Sequence, residues 1–326
     1  DVERSRGLGD VYKRQVTIIG PIESAARRIS IMGICNKFAG IISPLIFAAL
    51  ILKADDSELF SLIESGTLDA ITKSAMLDEL IQRVIVPYAI LGGLLVLAGI
   101  GIRYSILPEI NTDEQNATDE KENGHNSKKS IFDFPYLILG ALAIFFHVGT
   151  QVIAIDTIIN YANSMGIDLL EAKVFPSYTL ACTMIGYVLG ILIIPKYVSQ
   201  TKALIICTIL GLLLSFGVVF ADFNVTLFGH QANISIFLLC ALGFPNALIY
   251  AGIWPLSIHG LGKFTKTGSS LLIMGLCGNA ILPLIYGYFA EVYDLRIGYW
   301  ILIPCYLYLI FFATKGHKIN SWKRNY

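Results

Sequence analysis

The chain has 326 residues, 55% of them hydrophobic and 15% charged, with a formal net charge of zero. An average soluble domain carries about 25% charged residues, so a chain this apolar, with a mean hydropathy of +0.66, excludes a water-soluble fold and points to a membrane protein. Balanced charge offers no basic surface, so nucleic acid is not expected as a partner.

Residues 1–15, DVERSRGLGDVYKRQ, are polar and charged and give way abruptly to an apolar run at Val16, with no signal-peptide core between them. Residues 6–15 read as a translated adaptor joined to a truncated reading frame, so 1–15 is expected to be a non-native leader. An ordinary cytosolic tail is the alternative. Beyond it, eight apolar segments can each cross a hydrocarbon core of about 30 Å as a helix. They are 29–52, 84–107, 132–162, 175–194, 203–221, 234–257, 269–290 and 298–313, with 16–22 as the end of a ninth. The runs are continuously apolar, whereas barrel strands alternate, which predicts an all-α polytopic protein.

Lys and Arg alternate between the connections, 14 falling in one set and 5 in the other. The richer set, which includes the C-terminus, is expected in the cytoplasm. The connection 53–83 carries Asp55, Asp56, Glu58, Glu64, Asp69, Asp78 and Glu79, read as a solvated outer surface. The break 108–130 is charged and poor in large apolar residues, so it is expected to be a flexible cytosolic linker. The expected organisation is 16–107 as the remainder of an N-terminal helical half, 108–130 as linker, 131–314 as a six-helix C-terminal half and 315–326 as a cytosolic tail. The six cysteines lie inside apolar runs without CxxC pairs, and neither a disulfide framework nor a metal site is expected from them.

Polar residues inside such spans are costly, so they mark helix packing or a path for substrate and ions. Asn36 and Lys37 sit mid-span between Gly33 and Gly40. Asn36 fits an interhelical hydrogen bond or substrate binding, and Lys37 fits a buried ion pair, snorkelling or a direct role. In the span from 132, His147 and Gln151 lie one turn apart, as do Asp156 and Asn160. Asp156 is the one acid placed away from a span's end and is a coupling-ion candidate, with an interfacial anchor as the alternative. His147 can titrate or serve in packing. Asn246, Tyr250 and Trp254 follow at i+4 steps with Pro245 beside them. An amide, a phenol and an indole on one stripe suit a sugar, whose hydroxyls take hydrogen bonds and whose C–H face packs on an aromatic ring, although an aromatic packing stripe reads the same way. Asn279 sits among Gly275, Gly278, Pro283 and Gly287, where close packing and a cavity-lining break are both expected. Gly186 and Gly190 form a GxxxG read as packing.

The stretches GPIESAARRISIMGICNKFAG from Gly20, HVGTQVIAIDTIINYA from His147, YAGIWPLSIHGLGKFTKTGSSLLIMG from Tyr250 and the closing YLYLIFFATKGHK resemble, in the right order, the fucose permease and glucose/galactose family of sugar:cation symporters. That family lies within the major facilitator superfamily. The resemblance covers nearly everything from Val16 onward and implies two six-helix halves that alternate access around a midplane site. The chain then holds the end of the family's helix 4 and helices 5 to 12. Asn36 matches a helix 5 asparagine that contacts sugar in fucose permease, and Tyr250 matches a helix 10 tyrosine lining the same cavity. The carboxylates tied to proton coupling in fucose permease fall in helices that this chain lacks or replaces with its leader. Some relatives carry an acid where this chain has Gln151, and the fucose permease tryptophan of helix 7 is Ile155 here. The runs AIDTIINYA and 254–268 look closer to the glucose/galactose and N-acetylglucosamine branch.

The expected function is uptake of a hexose-type sugar by H⁺ or Na⁺ symport, by a monomer in a lipid bilayer, with no enzymatic activity, cofactor or metal. Asn36, Gln151, Asn246, Tyr250, Trp254 and Asn279 are the substrate-binding candidates, and Asp156, Lys37 and His147 the coupling-ion candidates. A sugar sensor without transport, or an inactive fragment, are the alternatives. A membrane-embedded enzyme would need paired acids or a metal constellation, which the polar residues of the spans do not supply.

Overall fold

The computed structural model describes residues 25–51, 70–104 and 130–322. The leader, the run 16–22, most of the acidic connection, the linker up to 129 and the last four residues lie outside the described residues. Two long helices come first, α1 (Ala25–Ile51) and α2 (Ala70–Arg103). At 27 residues α1 is about 40 Å long. α2 begins at Ala70 rather than 84, and its stretch Ile81–Gly101 meets the length and hydropathy of a membrane span.

The remaining elements are α3 (Pro135–Asp156), α4 (Ile158–Ser164), α5 (Leu169–Ala172), α6 (Phe175–Ile193), α7 (Gln200–Phe220), β1 (Asn224–Leu227), β2 (His230–Asn233), α8 (Ile234–Ala241), α9 (Gly243–Ile258), α10 (Thr265–Met274), α11 (Gly278–Val292), α12 (Leu295–Gly298) and α13 (Leu302–Thr314). Counting broken helices as one, seven segments among the described residues are long and apolar enough to span a membrane, six of them from Pro135 onward.

Three of the expected spans are interrupted. After a turn in which the Ser130 backbone and side chain exchange bonds with Asp133 and Phe132 as a capping box, α3 starts at Pro135, where a missing N–H costs nothing. It ends at Asp156, because the Thr157 hydroxyl donates to the Ile153 carbonyl at 2.7 Å and shares a 2.8 Å hydrogen bond with Tyr299, drawing the backbone out of line before α4. Leu242 separates α8 from α9, where Pro245 has no N–H for the Ala241 carbonyl. A 3-10 turn over Gly275–Cys277 separates α10 from α11. The hairpin β1–β2, paired from Asn224↔Asn233 to Leu227↔His230, was not expected. Its turn residues Phe228 and Gly229 both have positive φ, 54° and 83°, as a type I′ turn demands.

The chain divides into two compact units, one of residues 1–35 with 111–326 and one of residues 36–110, so the division falls within α1. In the first unit, small residues bring helices into backbone contact. A Cβ on Gly275 would sit 2.5 Å from the Ala141 carbonyl oxygen, and one on Gly278 would overlap the Phe145 carbonyl, so α11 lies directly on α3. Gly186 packs in the same way on the Phe244 carbonyl and Gly190 packs on the Leu248 side chain, joining α6 to α9. Trp254, Tyr161, Tyr299, Tyr306 and Phe312 are among the largest fully buried side chains of this unit. Its outer faces, with Leu192, Leu213, Phe220, Leu284 and Tyr288, are exposed and apolar, as lipid contact requires. All six cysteines are free.

Candidate functional site

The helical repeat of α9 places Asn246, Tyr250 and Trp254 along one stripe. α3 brings His147 to it, with the two rings of His147 and Tyr250 centred 6.4 Å apart, and Gln151 lies one turn further along α3. Tyr250 stacks on Trp254 at 5.8 Å and 28°. α13 supplies a residue that no sequence pattern singled out: Tyr306, whose hydroxyl donates to Asn246 Oδ1 at 2.7 Å. The Thr150 hydroxyl, which donates to the His147 carbonyl at 2.8 Å, adjoins the same phenol.

These groups form two layers. His147, Thr150, Asn246, Trp254 and Tyr306 are buried. Tyr250 and Gln151 are half-buried, and the Tyr250 hydroxyl oxygen is enclosed. Among the described residues, the Asn246 amide nitrogen and the Trp254 indole nitrogen have no hydrogen-bond partner. The buried amide and indole are neutral N–H donors, and the half-buried Gln151 carboxamide can both donate and accept.

The remaining candidates are Asn36, Lys37, Asp156 and Asn279. Asn36 is exposed and Lys37 half-buried, in the second unit. Asp156 is the last residue of α3, within the span Pro135–Asp156, and its side chain is exposed. Asn279 is exposed at the start of α11. Among the described residues, no cluster of His, Cys, Asp and Glu could hold a metal ion.

The connections at one end of the first unit are tied by polar pairs. His230 of β2 and Glu171 of α5 meet at 2.6 Å, and Arg296 of α12 pairs with Asp222 at 3.1 Å while also donating to the Ala221 carbonyl. The Asn233 amide donates to Asp222 at 2.8 Å. That hydrogen bond, with the Arg296 charge second, holds the Asp222 carboxyl below the usual carboxylate range.

The fold is that of the major facilitator superfamily: a superfamily transporter, FucP, solved in the outward conformation, superposes with a TM-score of 0.73 over 97% of this chain and 73% of its own, at 20% identity. No protein-family model matches the chain. By sequence it is a homologue of bacterial sugar transporters. A protein named glucose/galactose transporter from Brucella abortus is 28% identical over 308 residues, covering 93% of this chain and 66% of that protein. The L-fucose-proton symporter of Escherichia coli is 25% identical over 279 residues, covering 85% of this chain and 60% of the symporter. The chain therefore spans just under two thirds of the length of these relatives.

Proposed function

We propose that the protein takes up a hexose-type sugar, of the glucose/galactose or N-acetylglucosamine class with fucose next, by cation symport with alternating access. The observation that carries this reading is the two-layered polar cluster in a membrane-spanning helix unit. There, Tyr250 and Gln151 are half-buried and Asn246, Trp254 and Tyr306 are buried. Polar groups at such depth are expensive and are kept for a ligand or for packing. The names of the homologues favour the ligand, and a sugar in particular.

In this reading Tyr250 and Gln151 bond sugar hydroxyls and Trp254 backs the ring of Tyr250, while Asn36 and Asn279 are further binding residues. Asp156, Lys37 and His147 are the coupling-ion candidates. H⁺ is favoured over Na⁺ by the name of the E. coli relative, a proton symporter. The protein is proposed to act as a monomer in the bacterial inner membrane with its C-terminus in the cytoplasm. The reading is tested by counterflow of radiolabelled glucose, galactose, N-acetylglucosamine and fucose in vesicles carrying the protein. Exchange of one of these sugars above empty-vesicle background is expected; exchange of none would reject the substrate class.

A further inference from the structure

The orientation of the Asn246 amide is set from outside its own helix. Tyr306 is wholly buried, and its ring occupies the space left by Gly211, where a Cβ would come within 2.7 Å of the ring. Its hydroxyl donates to Asn246 Oδ1 at 2.7 Å. An amide whose oxygen is engaged in this way turns its NH2 group to the opposite side. There Asn246 Nδ2 meets no acceptor among the described residues, and two turns along the same stripe the Trp254 indole Nε1 meets none either. A buried N–H without an acceptor costs more than an ordinary hydrogen bond gains, so two of them on one stripe are a donor set lacking its oxygen. Both are neutral donors only. The group they fit is a hydroxyl, ring or acyl oxygen of a neutral ligand, and not an ammonium, which brings donors of its own.

We infer that Asn246 Nδ2 and Trp254 Nε1 are the hydrogen-bond donors for substrate oxygen in the C-terminal half, and that Tyr306 is the positioning residue that keeps the amide N–H turned toward it. The inference rests on the sugar-transport reading and adds to it which atoms discriminate among sugars. Between the two along the stripe lies Tyr250, the half-buried ring stacked on Trp254. The break at Leu242, a few residues before Asn246, leaves the start of α9 without a continuous hydrogen-bond ladder and gives it room to adjust.

The test is counterflow of the best-exchanged sugar and its set of monodeoxy analogues, in vesicles carrying wild type, Tyr306→Phe or Trp254→Phe. Tyr306→Phe removes one hydroxyl without changing ring volume. It should raise KM for the parent sugar about three- to tenfold, the worth of one neutral hydrogen bond, with little change in maximal rate. For the one analogue lacking the oxygen bound by Asn246, KM should be the same in mutant and wild type. Trp254→Phe, which keeps an aromatic ring, should show the same selective loss, and carries the test alone should Tyr306→Phe fail to insert. An equal shift for every analogue, a fall in maximal rate alone, or no change would make these residues a packing group and overturn the inference, leaving transport intact. Wild-type vesicles that exchange no sugar of the panel would instead reject the reading on which the inference rests.

Discussion

Substituting alanine for Gly278 places a methyl group where α11 and α3 touch backbone to backbone. The new Cβ would overlap the Phe145 carbonyl oxygen and lie 2.7 Å from its carbon and 3.0 Å from its Cα. No flexible side chain can yield there, so the whole of α11 must shift, also straining the neighbouring contacts of Gly275 with Ala141 and of Gly149 with Leu282. Overpacking of this kind costs about 1–3 kcal/mol. The same substitution at Gly287, further along α11, meets nothing within 4 Å. There it should gain up to about 1 kcal/mol from helix propensity alone. Reversible unfolding in mixed SDS micelles, followed by circular dichroism, measures both. Opposite signs for the two variants are expected, and equal stabilities would refute the α3–α11 packing.

Tyr250→Ala removes the half-buried ring of the cluster and should weaken sugar exchange by about tenfold, and Asn36→Ala should weaken it as well, each with normal membrane insertion; wild-type KM in both would reject them as binding residues. Asp156→Asn should alter the dependence of uptake on pH or sodium more than it alters sugar affinity, and an unchanged ion dependence would move coupling elsewhere. Asp222 has a depressed folded-state pKa, so its pairing with Asn233 and Arg296 contributes stability that is full above the unfolded value, about 3.9, and is lost as pH falls through the lower folded value. Asp222→Asn should therefore flatten the acid limb of the stability–pH curve without changing its slope near neutrality, as unfolding at a series of pH values would reveal.

The spans were legible because lipid imposes one requirement, a continuous apolar run long enough to cross it, and each run from 132 onward corresponds to helix in the structure. What composition could not supply was where those helices break. The bend at Thr157 depends on its hydroxyl reaching back to Ile153 and across to Tyr299, 142 residues away in sequence. Asp156 is the residue just before that bend. Pro245 did signal the opening between α8 and α9, since a missing N–H is a property of the residue itself. The hairpin was hidden because its I′ turn uses Phe228-Gly229 instead of an Asn-Gly pair.

In the candidate site, the stripe of Asn246, Tyr250 and Trp254 could be read from helical spacing. His147 comes to the stripe only through packing of α3 on α9. Tyr306 left no periodic signal, because its partner lies 60 residues away and its role is set by which helix it faces. Burial was equally invisible: Trp254 is fully enclosed and stacks on Tyr250, which is half-buried.

The central claim, cation-coupled sugar uptake, is tested most directly by accumulation of the exchanged sugar in vesicles under an imposed pH gradient or an imposed sodium gradient. Accumulation above the external concentration, driven by one gradient and abolished when that gradient is collapsed, is the expected result. Equilibration without accumulation under either gradient would contradict symport.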